Sequence, residues 1–201
     1  MTAAILHGIV LAFGLILPLG PQNTFVLAQG ASQPSLMRAL PAVAAAGLCD
    51  TLLILVAVFG VSVAVLGVPW LRIGLVAGGV VFLVVVGALL WRNSGSGSPE
   101  GRANGALSAR RQMAFAASVS LFNPHAILDT VGVIGPSSLA YGESERVAFT
   151  LACIGVSWGY FLFLAVLGRV ASTIRGVQRL LNRGSAVIMW GTAVYLASTM
   201  L

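Results

Sequence analysis

The chain has 201 residues, of which 58% are hydrophobic and only 8% charged, with a net charge of +6. A soluble domain carries about 25% charged residues, and one of this size has too little interior to hide so much apolar surface. The composition therefore excludes a soluble fold and makes lipid the solvent. The positive charge sits between apolar runs, so it reads as an orientation signal and not as a nucleic-acid footprint.

A bilayer core about 30 Å thick needs about 20 helical residues. Six stretches reach that length: 3–28, 39–66, 70–91, 112–138, 147–168 and 184–201. The chain begins MTAAILHGIV, which lacks the basic n-region of a secretory signal and runs on too far, so it is read as a retained span. His7 stands alone on this apolar run and is expected to be a satisfied packing or interface residue. Further along, PLGPQN (18–23) should interrupt the helix. Pro18 and Pro21 each remove a backbone donor and clash with the preceding turn, and Gly20 relaxes the chain. A membrane helix tolerates such a break only where protein or a wet cavity satisfies the freed carbonyls. Gln22 and Asn23 bring amides that donate and accept to that point.

In the second stretch Pro41 is expected in the first turn, and Asp50 nine residues later falls near mid-bilayer. Cys49 and Cys153 both lie within apolar stretches and read as small buried thiols, not as a disulfide framework. Gly67–Pro69 should turn the chain into the third stretch, whose ends carry Trp70 and Trp91 at aromatic-belt positions. Asn93–Ala109, with its GSGSPEG core, reads as a flexible linker. It divides one membrane domain into residues 1–92 and 110–201, with three spans each. An odd number per half turns the second half upside down, the condition for an inverted repeat. The expected fold is thus an all-α, multi-pass membrane protein of six helices in a 3+3 inverted repeat.

The fourth stretch repeats the interruption at Asn123–Pro124. Interrupted helices in corresponding positions of two halves are the best sequence pointer to a midplane binding site, with a plain proline kink as the alternative. Asp129 follows His125 by four residues, so the two share a helical face and could form a proton relay. In the fifth stretch Trp158 and Tyr160 either line a cavity or pack ordinarily; Trp190 in the sixth carries no assignment. Between them, residues 169–183 space Val170, Ile174, Val177 and Leu181 helically, as in a short interfacial helix or, otherwise, a connecting loop.

All eleven basic residues are arginine. Arg38, Arg92, Arg102, Arg110, Arg111, Arg169, Arg175, Arg179 and Arg183 fall in the first, third and fifth loops. Only Arg72 and Arg146 fall on the other side, beside Glu143 and Glu145. That bias places both termini outside, with the arginine-rich loops in the cytoplasm.

Asp50 and Asp129 carry the functional argument. A carboxylate at mid-membrane costs roughly 2.5–3.5 kcal/mol on insertion scales, and no arginine lies within either stretch. A proton, a polar neighbour or a transient cation must compensate. With a structural hydrogen-bond role as the alternative, the pair points to transport of a cation. Asp50, Asp129, Gln22, Asn23 and Asn123 are the candidate substrate ligands, Pro18, Gly20, Pro21 and Pro124 the helix breakers, and His125 with Asp129 the candidate proton-coupling pair. No cofactor motif occurs and no resident metal site is assigned.

The runs GPQNTFVLAQG (20–30), LCDTLLI (48–54) and LFNPHAILD (121–129) together resemble the lysine exporter (LysE) family of bacterial amino-acid exporters. The likeness covers nearly the whole chain: length, six apolar stretches, central polar loop and three motifs in order. It implies gradient-driven export of amino acids, and the GPQN run with Asp129 resembles the basic amino-acid branch. His125 stands where that pattern leads one to expect a small or amide residue. Lysine or arginine would place cationic groups on Asp50 and Asp129, with half-helix N-termini receiving the carboxylate. A neutral amino-acid exporter, a divalent-metal exporter and a membrane enzyme remain as alternatives. The last is opposed by GVSW at 155–158, which is not a G-x-S-x-G elbow. A homodimer stays open.

Overall fold

The computed structural model describes residues 1–17, 20–61, 106–173 and 177–198, with isolated helical positions between 77 and 92. The side chains of Pro124, His125, Leu128 and several residues within 177–198 are outside that description, as are Pro18, Trp70, the Gly67–Pro69 turn, most of the third stretch and most of the linker. Every described element is helical. In chain order these are α1 (Thr2–Ile16), α2 (Pro21–Ser32) and α3 (Leu36–Leu55), which widens into a π-helical turn at Val56–Val61; then α4 (Ala109–Leu121) and α5 (Pro124–Asp129), followed by a second π-helical turn at Thr130–Ile134 and by α6 (Gly135–Ser138); and finally α7 (Glu143–Ala171) and α8 (Val177–Ser198).

Leu36–Gly60 and Glu143–Ala171 are each long and apolar enough to cross a membrane, and α1 with α2 passes the same test as one span bent by 80°. The bend is where proline and glycine chemistry places it. Gly20 is the extended N-cap of α2 (φ −76°, ψ 178°) and Pro21 takes its first turn, where a missing N–H costs nothing. Two details differ from expectation. The non-helical stretch is shorter, so Gln22 and Asn23 lie in the first turn of α2 and not in unwound chain. Gly20 also adopts a conformation open to any residue, so it offers space, not backbone freedom. In the fourth stretch only Phe122 and Asn123 leave the helix, and Pro124 already opens α5. The helix before the break has 15 residues in the first case and 13 in the second.

Pro41 lies within α3, because the helix begins a turn earlier, at Leu36, after the extended N-cap Ser35. Asp50 remains close to the middle of Leu36–Gly60. Residues 169–183 do not form a helix of their own among the described residues: Arg169–Ala171 end α7, and Val177–Arg183 begin α8.

The 29 residues of α7 reach about 43 Å at 1.5 Å per residue, and they form the spine of the molecule. The amino group of Met1 meets Glu145 at 2.6 Å. Gly8 packs on Phe149 and Ala152, and Gly30 on Ala165. At the far end Arg169 donates to the Gln33 carbonyl at 3.2 Å. Together α1 and α2 thus follow α7 from end to end. Lipid offers apolar side chains as good a home as the protein does, so close packing must hold such helices together. Glycine supplies it. Gly30 faces the Ala165 backbone while Gly168 faces the carbonyl of Leu27, so α2 and α7 touch backbone to backbone. Phe149, Cys153, Phe161 and Leu164 then fill the space on the same side of α7.

The two ends of the molecule differ in charge. At one end Gln33 and Gln112 both donate to the Leu107 carbonyl, at 3.0 and 2.9 Å, and Gln112 also donates to the carbonyl of Arg38 at 2.9 Å. This glutamine clamp brings the start of α3, the start of α4 and the end of α7 together, and with them the exposed Arg38, Arg110, Arg111 and Arg169. The other end holds the N-terminus, Glu143, Glu145 and Arg146. There His7 shares a hydrogen bond with Tyr141 at 2.8 Å and packs on Phe149, which makes it the satisfied interface residue expected.

Candidate functional site

Where α1 stops, its last carbonyls lose their helical partners. Side chains replace them: Asn23 Nδ2 donates to the Ile16 carbonyl at 2.8 Å, and the Tyr160 hydroxyl donates to the Leu17 carbonyl at 3.2 Å. Thr24 ties the start of α2 by donating to the carbonyls of Gly20 and Pro21. The break is thereby held open as a fixed feature beside α3, α5 and α7.

A cavity of about 200 Å³ occupies the space it leaves. The α1–α2 junction lines it with Ile16, Gly20, Pro21, Gln22 and Asn23. Asp50 comes from α3, Asn123 from the second break, Asp129 and Thr130 from the α5 end, and Ser157 and Phe161 from α7. All five expected ligands, Gln22, Asn23, Asp50, Asn123 and Asp129, therefore converge on one space from both halves of the chain. Gly20 and Pro21 line it as well. Pro18 is outside the described residues; Pro124 and His125 are placed only as the first turn of α5, one turn before Asp129.

Gln22 Nε2 donates to Asp50 Oδ1 at 2.9 Å, with the Ala46 carbonyl at 3.5 Å. Ser157, from α7, lines the same cavity as this carboxylate. Asp50 is thus held by the first broken span. Thr130 bonds back to the Ala126 carbonyl at 2.7 Å, within the π-helical turn that packs against the π-helical turn of α3. Such turns widen a helix by one residue and recur at functional sites.

Sequence reading missed Ser157, Thr130 and Phe161. For Ser157 a signal existed: it is the polar member of an i, i+4 series, Cys153–Ser157–Phe161, on the buried side of α7. Trp158 and Tyr160, for which cavity lining and ordinary packing were both open, are structural. Trp158 Nε1 donates to Thr51 Oγ1 at 3.1 Å, and its indole rests on Gly47, which fastens α3 to α7; Tyr160 caps the broken helix. Cys49 and Cys153 are free thiols.

The site can be described chemically as two carboxylates, three amides and the hydroxyls of Thr130 and Ser157 on a mainly apolar wall, with no arginine among the described lining residues. Comparison with known proteins agrees with that character. The family model for LysE type translocators matches residues 13–200. The amino-acid transporter named YisU from Bacillus subtilis (strain 168) is 51% identical over 195 residues, covering 96% of this chain and 88% of its own. The arginine exporter protein ArgO of Pectobacterium atrosepticum is 35% identical over 210 residues, with 98% of each chain covered. ArgO of Escherichia coli O157:H7 is 34% identical over 197 residues, covering 95% and 92%. No solved structure matches the chain. A chain with broken apolar helices around a carboxylate-lined cavity, matched along nearly its whole length, belongs to the LysE type translocator family and is an integral membrane amino-acid transporter.

Proposed function

We propose that this transporter exports basic amino acids, L-arginine and L-lysine, across the bacterial plasma membrane, coupled to the proton gradient. One observation carries the reading: Asp50 and Asp129, from different stretches of chain, line one cavity at the two helix breaks. A dehydrated cation needs carboxylate or carbonyl partners, and two carboxylates in one small space repel each other unless a proton or a cation stands between them. The apolar lining suits the methylene stem that arginine and lysine share. A volume near 200 Å³ is below the roughly 300–1,000 Å³ of drug-sized ligand sites, in keeping with a single amino acid. The α2 N-terminus, where Gln22 and Asn23 line the cavity, presents the positive end of its helix dipole to the substrate carboxylate. ArgO, the arginine exporter protein, supplies the same suggestion from its name.

In this proposal Asp129 also takes part in proton coupling, with His125 one turn earlier as its relay partner. Residues 1–92 and 110–201 form the inverted halves, six spans in all, joined by 93–109. The arginine-rich end, with the glutamine clamp, faces the cytoplasm, and both termini face out. The experiment is efflux from cells loaded with labelled dipeptides. Cells expressing the protein should release arginine and lysine several-fold faster than cells without it, and collapsing the proton gradient should stop the difference. Release of neutral amino acids alone would overturn the proposed substrate.

A further inference from the structure

The cavity reaches unequally toward the two ends of the molecule. Ala12 and Leu15 of α1, Ile54 of α3 and Ile134 of the second π-helical turn line it, and all four lie from the breaks toward the Met1 and Glu145 end. On the clamp side Phe161 of α7, packed with Val26 and Val43, forms its floor. Among the described residues none of 24–49 or 107–122 lines it. Those residues belong to α2, α3 and α4, which run from the breaks to the glutamine clamp, about 15–18 Å at 1.5 Å per residue. Between cavity and clamp Phe25 of α2 meets Phe115 of α4, ring centroids 4.4 Å apart, with Ala42, Ala45 and Ala116 packed around them.

The clamp itself is a latch on α4. Gln33 uses both amide hydrogens, one on Gln29 Oε1 at 3.1 Å and one on the Leu107 carbonyl just before α4. Gln112 uses both of its own, on the carbonyls of Leu107 and of Arg38 at the start of α3. Gln33–Leu107 therefore ties α4 to α2, and Gln112–Arg38 ties it to α3. Yet Gln112 is 1% exposed and its Oε1 has no hydrogen-bond partner. A buried acceptor without a donor costs free energy that water would return, so the closed latch carries a bias toward its own opening. At its other end α4 loses helical continuity at Phe122 and Asn123. It is a rod with a pivot at the cavity and a latch at the arginine-rich end.

We propose that α4 is the cytoplasmic gate of the transport path: it pivots at Phe122–Asn123, parts the Phe25–Phe115 contact and the two clamp bonds together, and opens the cavity to the arginine-rich end. This rests on the proposed substrate and orientation and adds the moving part. The arrangement described above is then the conformation closed toward the cytoplasm. Hinges of this kind sit at element ends that absorb a backbone change, and the second break is such an end. The contact that must part is built to part, because alanines present few atoms to disengage and the latch bonds are neutral amides exchangeable for water.

The test uses the full chain with Cys49 and Cys153 replaced by alanine. Gln33→Cys with Leu107→Cys puts one thiol on each side of the gate, and a reducible bis-thiosulfonate linker joins them in proteoliposomes. Cross-linking should stop labelled arginine counterflow and reductant should restore it, while each single-cysteine variant treated likewise keeps its rate. Separately, Ser120→Cys is nearly isosteric and lies on the buried face of α4 with Gln112 and Ala116. In inside-out vesicles a membrane-impermeant maleimide should modify it slowly. Adding Gln33→Ala and Gln112→Ala should speed that reaction roughly fivefold or more, with no such gain in right-side-out vesicles. Full counterflow after complete cross-linking, or equal labelling with and without the clamp, would overturn the gate and leave the substrate reading standing. No arginine counterflow before cross-linking, with labelling still hastened by loss of the clamp, would overturn the substrate reading and keep the gate. A gain confined to right-side-out vesicles would overturn its assignment to the cytoplasmic side.

Discussion

Asp50 is the residue on which the proposed chemistry turns, and its surroundings separate two roles for it. The amide of Gln22 points a hydrogen at the carboxylate at 2.9 Å, and Ser157 lines the same cavity. A purely structural acceptor could be replaced by asparagine, whose carbonyl oxygen still accepts from the same donor. A ligand for a cation could not. A hydrogen bond to a charged group contributes about 1.5–3 kcal/mol net, which corresponds to roughly ten- to more than a hundredfold in affinity. Asp50→Asn should therefore keep the protein level and unfolding temperature near wild type and reduce arginine efflux by that factor. Asp50→Glu should retain more efflux than Asn, because it keeps the charge although it misplaces it by one methylene. Wild-type efflux in Asp50→Asn would return the residue to a structural role.

At the scale of elements, the breaks were legible in the sequence because their causes are local. Proline lacks a donor wherever it stands, so Gly20-Pro21 and Asn123-Pro124 announced the ends of α1 and α4 before any packing was known. What the breaks do with their freed carbonyls was not legible. The partners of Ile16 and Leu17 are Asn23 and Tyr160, and Tyr160 is remote in sequence. The π-helical turns at Val56–Val61 and Thr130–Ile134 likewise left no trace in composition, since they arise where two segments meet. Pro41 misled for a related reason: packing extends α3 a turn past its first proline. The glycines make the same distinction testable. A side chain at Gly20 would meet nothing within 4 Å, whereas at Gly30 or Gly168 it would run into the backbone of the facing helix. Gly20→Leu should fold normally, place its side chain at the cavity wall and lower efflux at least tenfold, about 1.4 kcal/mol. Gly30→Leu and Gly168→Leu should instead lose about 1–3 kcal/mol or more of stability through overpacking, read as lower unfolding temperatures in detergent. Equal loss of folding in all three would show that the α1–α2 junction is packed as tightly as the α2–α7 contact.

For the molecule as a whole, polarity is the decisive property, because a transporter must present its two faces to different solutions. The hydrogen bonds define two ends. Gln33, Leu107, Gln112, Arg38 and Arg169 gather at one, while Met1, Tyr141, Glu145 and Arg146 gather at the other. Arg38, Arg110, Arg111 and Arg169 lie at the first end, the loops of the sequence divide their arginines nine against two, and positive residues are retained on the cytoplasmic side during insertion. The described end of the linker runs through Leu107, at the clamp end, into α4. Orientation can thus be read at a single linker position. With Cys49 and Cys153 replaced by serine or alanine to remove the two native thiols, Ser96→Cys supplies a unique label site. A membrane-impermeant maleimide should leave it unmodified in intact cells and modify it fully once the inner membrane is opened. A cysteine placed at Thr2 should behave in the opposite way, because the N-terminus lies at the Glu145 end. Labelling of Ser96→Cys from the periplasm in intact cells would invert the molecule. The glutamine clamp would then face outward, and the assignment of its arginine-rich end to the cytoplasm would fall.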